Sequence, residues 1–281
     1  MRVVMDNAGD VPKEFIEKYN IHVMPINIMF GTEEYQSPYN ITHKEFYAKT
    51  QSVTDANFPK TSQPTPHQLI EAYEKMIAEG ETEFFTITIS EKLSGTYASA
   101  VMAHKELADK ATFHLIDSEA GAGAFGFQVM EAARLAQEGA SAEAIKARVA
   151  EVKQKTTTVF MIDNLEYAVR GGRVSSWRSA VASLLKIKPI MRLENGQVVE
   201  DNKVRSYKKA INYLIDYMKE RVGDKPIRVF VEYGGDQSNG LALKERVEQE
   251  FNITELHFMD LCIPVAINMG PGALAFIALE E

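Results

Sequence analysis

The residues of this chain whose types and spacing suit chemistry are small, polar and mostly uncharged. Ser94-Gly95-Thr96 separates an alternating stretch (Phe85, Ile87, Ile89) from a helical stretch through Ala98, Ala100 and Met102. A helix start presents unpaired N–H groups and a partial positive charge. Gly95 lets an anion approach the backbone there, and the Ser94 and Thr96 hydroxyls can donate to it. Thr61-Ser62-Gln63-Pro64 offers two more adjacent hydroxyls before a proline, so the segment is expected to be extended, with a helix after it. In "NMGPG", residues 268–272, two glycines and a proline make a sharp bend, and Asn268 adds an amide donor. Each cluster also has a plainer reading: a helix cap at Ser94, a polar turn at 61–66, and a tight turn between strands at 268–272.

Other chemistries find little support. The six histidines (His22, His43, His67, His104, His114 and His257) show no metal-ligand spacing. The single cysteine, Cys262, cannot form an internal disulfide or a zinc pair, and reads as a small buried hydrophobe in a reducing, cytoplasmic compartment. No phosphate-binding glycine loop or nucleophile elbow is present. "GAGAFG", residues 121–126, has the wrong glycine spacing for a dinucleotide site and reads as close helix packing. Asp6, Asp10 and Asp117 are candidates for an acid pair that sequence alone does not assemble. A net charge of −8 argues against a nucleic-acid binder. The N-terminus is too short and too acidic for a signal peptide. The uncharged run 262–279 is broken by Pro264, Asn268, Gly270, Pro271 and Gly272, and reads as two short buried strands around a turn, not a membrane span.

The elements that must position these residues alternate strand and helix. "RVVMD" is a strand, "VPKEFIEKY" a helix, and "HVMPINIMF" a second strand with Pro25 at an edge or bulge. Thr42 with Glu45 forms a capping box, and Thr65-Pro66 is a cap followed by a proline at the first helical position of a helix closing at Gly80. The 84–89 strand, "TFHLID", the glycine-rich helix ending at Gly139, and a helix capped by Ser141 complete the first half. From Thr156 the texture changes: a strand, a short helix, a loop opening at Gly171-Gly172 into "RVSSWRSAVASLL", then a hairpin turning at Asn195-Gly196. A helix over 206–222, a strand over 227–233, a helix over 240–251 and final strands follow. The fold class is therefore α/β in two domains: 1–156, a Rossmann-like α/β/α unit on a parallel sheet, and 157–281, a mixed-sheet α/β unit.

Taken in order, "MDNAGDVP", "TSQPTP", "ISEKLSGTYASA", "LIDS" with its glycine-rich helix, "GGRVS", "LLKIKPI", "KVRSYKKA" and "NMGPG" resemble the DegV family of fatty-acid-binding proteins over nearly the whole chain. The resemblance implies a long-chain fatty acid buried between the two domains and no cofactor, metal or catalysis by this chain. It also implies a separate ATP-dependent fatty acid kinase as partner, which phosphorylates the carboxylate for lipid synthesis, with no nucleic acid and no membrane insertion. Carried over, Thr61, Ser62, Ser94, Gly95 and Asn268 would hold the carboxylate, and Arg173 and Arg205 would lie near the head group or the partner. The chain departs from the family pattern at Asn268, where a histidine is usual, and at Met5-Asp6-Asn7, where a Thr/Ser-Asp-Ser run is usual. Methionine-rich apolar stretches (Met24 to Phe30; Met161, Ile162, Leu165) suit a flexible apolar ligand. Burying about 14 methylenes at ~0.8 kcal/mol each favours binding by roughly 11 kcal/mol before ordering costs. Two other readings remain open: an acyl or phosphoryl transferase using Asp6 or Asp117 with the Ser94 loop, and a binder of a phosphorylated small molecule.

Overall fold

The computed structural model describes residues 1–174 and 187–281. The expected loop through "RVSSWRSAVASLL", and with it parts of "GGRVS" and "LLKIKPI", lies beyond Val174 outside the described residues. The first half runs β1 (Arg2–Asp6), α1 (Lys13–Lys18), β2 (His22–Met24), β3 (Ile26–Phe30), β4 (Glu33–Ser37), α2 (His43–Thr50), β5 (Pro59–Ser62), α3 (Pro66–Ala78), β6 (Glu83–Thr88), α4 (Thr96–Glu106), β7 (Thr112–Asp117), α5 (Ala122–Gln137) and α6 (Ala142–Lys155). The second half runs β8 (Thr156–Met161), α7 (Leu165–Gly171), β9 (Lys188–Glu194), β10 (Gln197–Val204), α8 (Tyr207–Val222), β11 (Ile227–Tyr233), α9 (Ser238–Glu250), β12 (Ile253–Asp260), α10 (Ile263–Met269) and β13 (Leu274–Glu280).

Strands β2-β1-β6-β7 form an all-parallel sheet. Val3, Val4 and Met5 are all buried, as expected for a strand covered on both faces. The second sheet, β10-β9-β8-β13-β11-β12, is mixed: only β11 and β12 pair in parallel. Helix α5 lies between the two sheets. Eleven successive residues, Gly123 to Ala133, are buried, which accounts for its small, apolar composition. Gly126 abuts the Asp10 carbonyl and Gly123 abuts the Phe230 ring, so neither site has room for a Cβ. Farther along, Phe127 meets Phe230 edge to face at 4.7 Å between centroids. The close-packing reading of "GAGAFG" holds.

An ionic cluster ties this layer together. Glu131 on α5, 4% exposed, accepts from Arg228 of β11 (2.7 Å) and Arg148 of α6 (2.9 Å). Burial works against its charge, but those two guanidiniums outweigh it and hold the carboxyl below its ordinary value.

Two expectations are corrected. "HVMPINIMF" is not one strand: Pro25 has no N–H to continue the ladder, and the chain leaves the parallel sheet after β2 to form a separate antiparallel sheet, β4-β3-β5. Residues 262–279 are not two strands: "IPVAINM" is helix α10, with proline in its first turn, so "NMGPG" joins a helix to β13. Gly270 and Gly272 there have φ of +79° and +83°, which explains the choice of glycine. The two capping boxes, the Ser141 cap and the Asn195-Gly196 turn (φ +49° and +76°) form as the sequence indicates.

Candidate functional site

Between the sheets lies an apolar-walled cavity of about 990 Å³, open solvent at its mouth included. Its floor is the inner face of the mixed sheet. Strand register places Phe160, Ala275 and Glu232 in one row across β8, β13 and β11, and Thr158, Ile277 and Phe230 in the next. The small Ala275 between larger neighbours deepens the trough. Leu193 and Val198, paired across the β9–β10 hairpin, extend the wall. Its tip is tied over the β6–α4 loop by Ser90 Oγ donating to the Gly196 carbonyl (2.8 Å) and Lys92 Nζ to the Asn195 carbonyl (2.8 Å).

The roof comes from loop ends of the parallel sheet and from α10. Ala8 and Ala122 are locked together: Ala122 N donates to the Ala8 carbonyl (2.8 Å) and Asp10 N to the Ala122 carbonyl (3.1 Å). These bonds hold Ala122 at φ +51°, a conformation disfavoured for a residue with a Cβ, right at the cavity wall. Ile89, Leu261, Pro264, Val265 and Met269 make the rest of the roof apolar.

The polar groups gather where β5, the start of α4 and α10 meet. Thr61 and Ser62 end β5, paired with Ile28 and Asn27, and residues 63–65 lead from that strand into α3. Ser94 lines the same wall. Its Oγ accepts from Thr96 N (3.3 Å) and lies 2.9 Å from Thr96 Oγ1, while Gly95 occupies the cap position without a side-chain cap. The simple Ser94 cap is thus not what forms. The Gln63 amide packs against Gly95, where a Cβ would displace it, and reaches toward Ser99 Oγ (3.5 Å). Gln63 lines the cavity and is a site residue that sequence reasoning passed over; only its place between Ser62 and Pro64 signalled it.

Asn268 also faces this end. Its Nδ2 donates to the Pro264 carbonyl (2.9 Å), and its Oδ1 is buried with no hydrogen-bond partner, packed against Gly171. Arg173 reaches the mouth, with Nε donating to the Leu93 carbonyl (3.0 Å) and Nη1 to the Gly171 carbonyl (2.6 Å). Arg205 is exposed at the bend before α8 and does not line the cavity. Thr61, Ser62, Ser94, Asn268 and Arg173 therefore converge on the cavity, whereas Gly95, covered by the Gln63 amide, and Arg205 do not line it.

Of the carboxylates considered for acid chemistry, Asp10 pairs with Glu232 of β11 and accepts from Cys262 N (3.0 Å), and the other two are otherwise engaged. Asp6 accepts from Ala8 N (2.9 Å) and Ile89 N (2.7 Å), while burial raises its pKa to about 7. Asp117 accepts from the Glu91 and Glu119 amides. Neither forms a hydrogen bond to Ser94. Cys262 is buried, and burial, with Asp10 next to it, pushes its thiol up, away from reactivity. Among the described residues no cluster of His, Cys, Asp and Glu is placed to hold a metal, and no helix is long and apolar enough to cross a membrane.

A family model described as "Uncharacterised protein, DegV family" matches residues 1–281. The chain belongs to the DegV family. It is 36% identical to a DegV domain-containing protein of Caldanaerobacter subterraneus subsp. tengcongensis, over 99% of this chain and 98% of the relative. A Thermus thermophilus DegV family protein, described by its fatty acid binding, superposes with a TM-score of 0.90 at 28% identity, covering 100% of this chain and 99% of that one. DegV of Bacillus subtilis, described as a fatty acid binding protein, gives a TM-score of 0.87 at 29% identity, covering 100% and 99%. The parallel-sheet first half and mixed-sheet second half are the architecture of these DegV structures.

Proposed function

We propose that this DegV protein binds a long-chain fatty acid and holds it without reacting with it. The observation that carries this is the polarity of the cavity: an apolar trough on the mixed sheet, with hydroxyls and amides at one end. The acyl chain lies on Phe160, Ala275 and Ile277 beneath Ile89 and Val265. The carboxylate sits against Thr61, Ser62 and Ser94, with the Gln63 amide, the second Nδ2 hydrogen of Asn268 and the Arg173 guanidinium nearby. A carboxylate leaving water needs such donors, because burial without them disfavours its charge strongly. The domains divide at residues 156/157, and the ligand lies between them.

Among the described residues no histidine or carboxylate hydrogen-bonds to the Ser94 hydroxyl, which supports a carrier over an acyl or phosphoryl transferase. A separate ATP-dependent kinase then phosphorylates the carboxylate where it meets the mouth, with Arg173 and, farther out, Arg205 on the side facing that partner. The fatty acid binding described for the Thermus and Bacillus proteins supports the ligand class. Titrating delipidated protein with palmitate and with methyl palmitate tests the reading. The acid should bind and the ester, lacking the anion, should bind far more weakly; equal affinities would place the head group elsewhere.

A further inference from the structure

The acyl cavity does not end in a closed apolar wall. Residues 156, 158, 160 and 162 alternate onto one face of β8 and the turn after it. Phe160 and Ile162 line the acyl cavity, Thr156 lines a second hollow beside it, and Thr158 and Leu193 line both. The second hollow is polar, with Gln128 of α5, Lys153 of α6, Thr156 and Asn195 around it. Gln128 is 1% exposed, and its Nε2 donates to the Ser118 carbonyl (3.0 Å). A carbonyl only accepts, so that bond fixes which end of the amide is nitrogen. The other end, Oε1, is buried with no hydrogen-bond partner. An amide oxygen has no proton to share and needs a donor, and buried polar groups are nearly always satisfied. The Thr156 hydroxyl is not that donor, because it is bonded to the Val152 carbonyl (2.6 Å). Lys153 Nζ donates to the Asp117 carbonyl and to Glu119 Oε1 (both 2.9 Å), which uses two of the three N–H groups of an ammonium.

The hollow lies where the far end of a common acyl chain falls. Asn268, at the head-group end, closes α10 just before β13, whose Leu274 pairs with Met161 at the carboxyl end of β8. From Ile162 at that end back to Thr158 is ~13 Å at ~3.3 Å per strand residue. A long acyl chain spans ~15 Å, half of a ~30 Å bilayer core. Its terminal carbons therefore reach Thr158 and Leu193, where the apolar lining gives way to Gln128 and Lys153.

Building on the fatty-acid reading, we propose that the second hollow is a binding site for the far end of the ligand, and that the protein takes long-chain acids bearing a hydroxyl on the terminal carbon. The hydroxyl donates to Gln128 Oε1 and accepts from the third N–H of Lys153. A terminal methyl leaves the Gln128 oxygen without a donor. A terminal carboxylate brings no proton to that oxygen and meets the charge of Glu119. A site built around a hydroxyl discriminates because its own polar groups are left unpaired when the hydroxyl is missing.

The test is a calorimetric titration of delipidated protein at neutral pH with palmitate, ω-hydroxypalmitate and the α,ω-dicarboxylic acid of the same length. Wild type should bind ω-hydroxypalmitate at least as tightly as palmitate, and roughly tenfold more tightly than the diacid. In Gln128→Met the affinity for ω-hydroxypalmitate should fall about tenfold while palmitate is bound as before. The wild-type series decides the matter even if Gln128→Met does not fold. A hydroxy acid bound more weakly than palmitate by wild type, a diacid bound as tightly as the hydroxy acid, or a wild-type ranking that persists in Gln128→Met overturns the assignment while leaving palmitate binding intact. Failure of every acid to bind overturns the fatty-acid reading and this inference with it.

Discussion

Removing the Thr61 and Ser94 hydroxyls, which line the polar end of the cavity, separates the head-group assignment from general packing. Thr61→Val keeps the β-branched shape that suits β5 and deletes only the hydroxyl. Ser94→Ala deletes the other, along with the Oγ that accepts from Thr96 N. That bond supports the first turn of α4, and its loss costs about 0.5–1 kcal/mol, small beside a domain stability of ~5–15 kcal/mol. Hydrogen bonds to a charged group contribute ~1.5–3 kcal/mol each. Both side chains are only half-buried, so water partly replaces them and the low end applies. About 1.4 kcal/mol is tenfold in affinity, so each variant should weaken binding roughly tenfold and the double variant roughly a hundredfold. Calorimetric titration of delipidated protein, with thermal melts as a folding control, measures this. A folded double variant that binds palmitate as tightly as wild type would refute the reasoning.

Asn268→His should bind fatty acid near wild-type levels at neutral pH and more tightly as pH falls below about 6.5, where an imidazole gains a positive charge beside the carboxylate. Parallel pH profiles for the two proteins would place residue 268 away from the head group. Glu131→Ala should cost about 1–3 kcal/mol in urea unfolding, because Arg228 and Arg148 lose their shared buried partner while keeping Glu255 (2.6 Å) and Glu151 (2.8 Å); an unchanged stability would contradict the clamp. His104 stacks on Phe113 (4.4 Å) beside Tyr73 Oη (2.9 Å), and burial lowers its pKa to about 4 from the ordinary 6.5. The folded chain thus binds fewer protons than the unfolded chain between those values. The stabilisation is complete above pH 6.5 and is lost as pH falls toward 4. The wild-type advantage over His104→Gln should shrink by up to ~1.4 kcal/mol per pH unit in that window; a constant difference across it would contradict the shift.

What was legible in the sequence was local. Caps at Thr42, Thr65 and Ser141, and the Asn195-Gly196 turn, depend on neighbours a few residues away, and each formed as its residue types require. The small antiparallel sheet was not legible: β4 is "EEYQS", an exposed polar strand without alternation, and β5 holds only four residues around Thr61. Pro25 was visible as an interruption, but whether it bends a strand or ends it depends on which sheet receives Ile26. Helix α10 was misread because its seven residues, apolar apart from Asn268, suit a short strand equally well. The head-group residues were found as separate clusters, and family resemblance joined them. The Asp10–Glu232 pair was invisible because its members come from opposite halves of the chain and meet only when α5 packs against β11.

The central claim is that the cavity holds a long-chain acid, and mass spectrometry of the organic extract of protein purified under native conditions tests it most directly. A long-chain fatty acid at close to one per chain is expected, depleted in the Thr61→Val/Ser94→Ala double variant. A phosphorylated metabolite in its place, or a protein free of lipid that takes up no fatty acid when one is supplied, would contradict it.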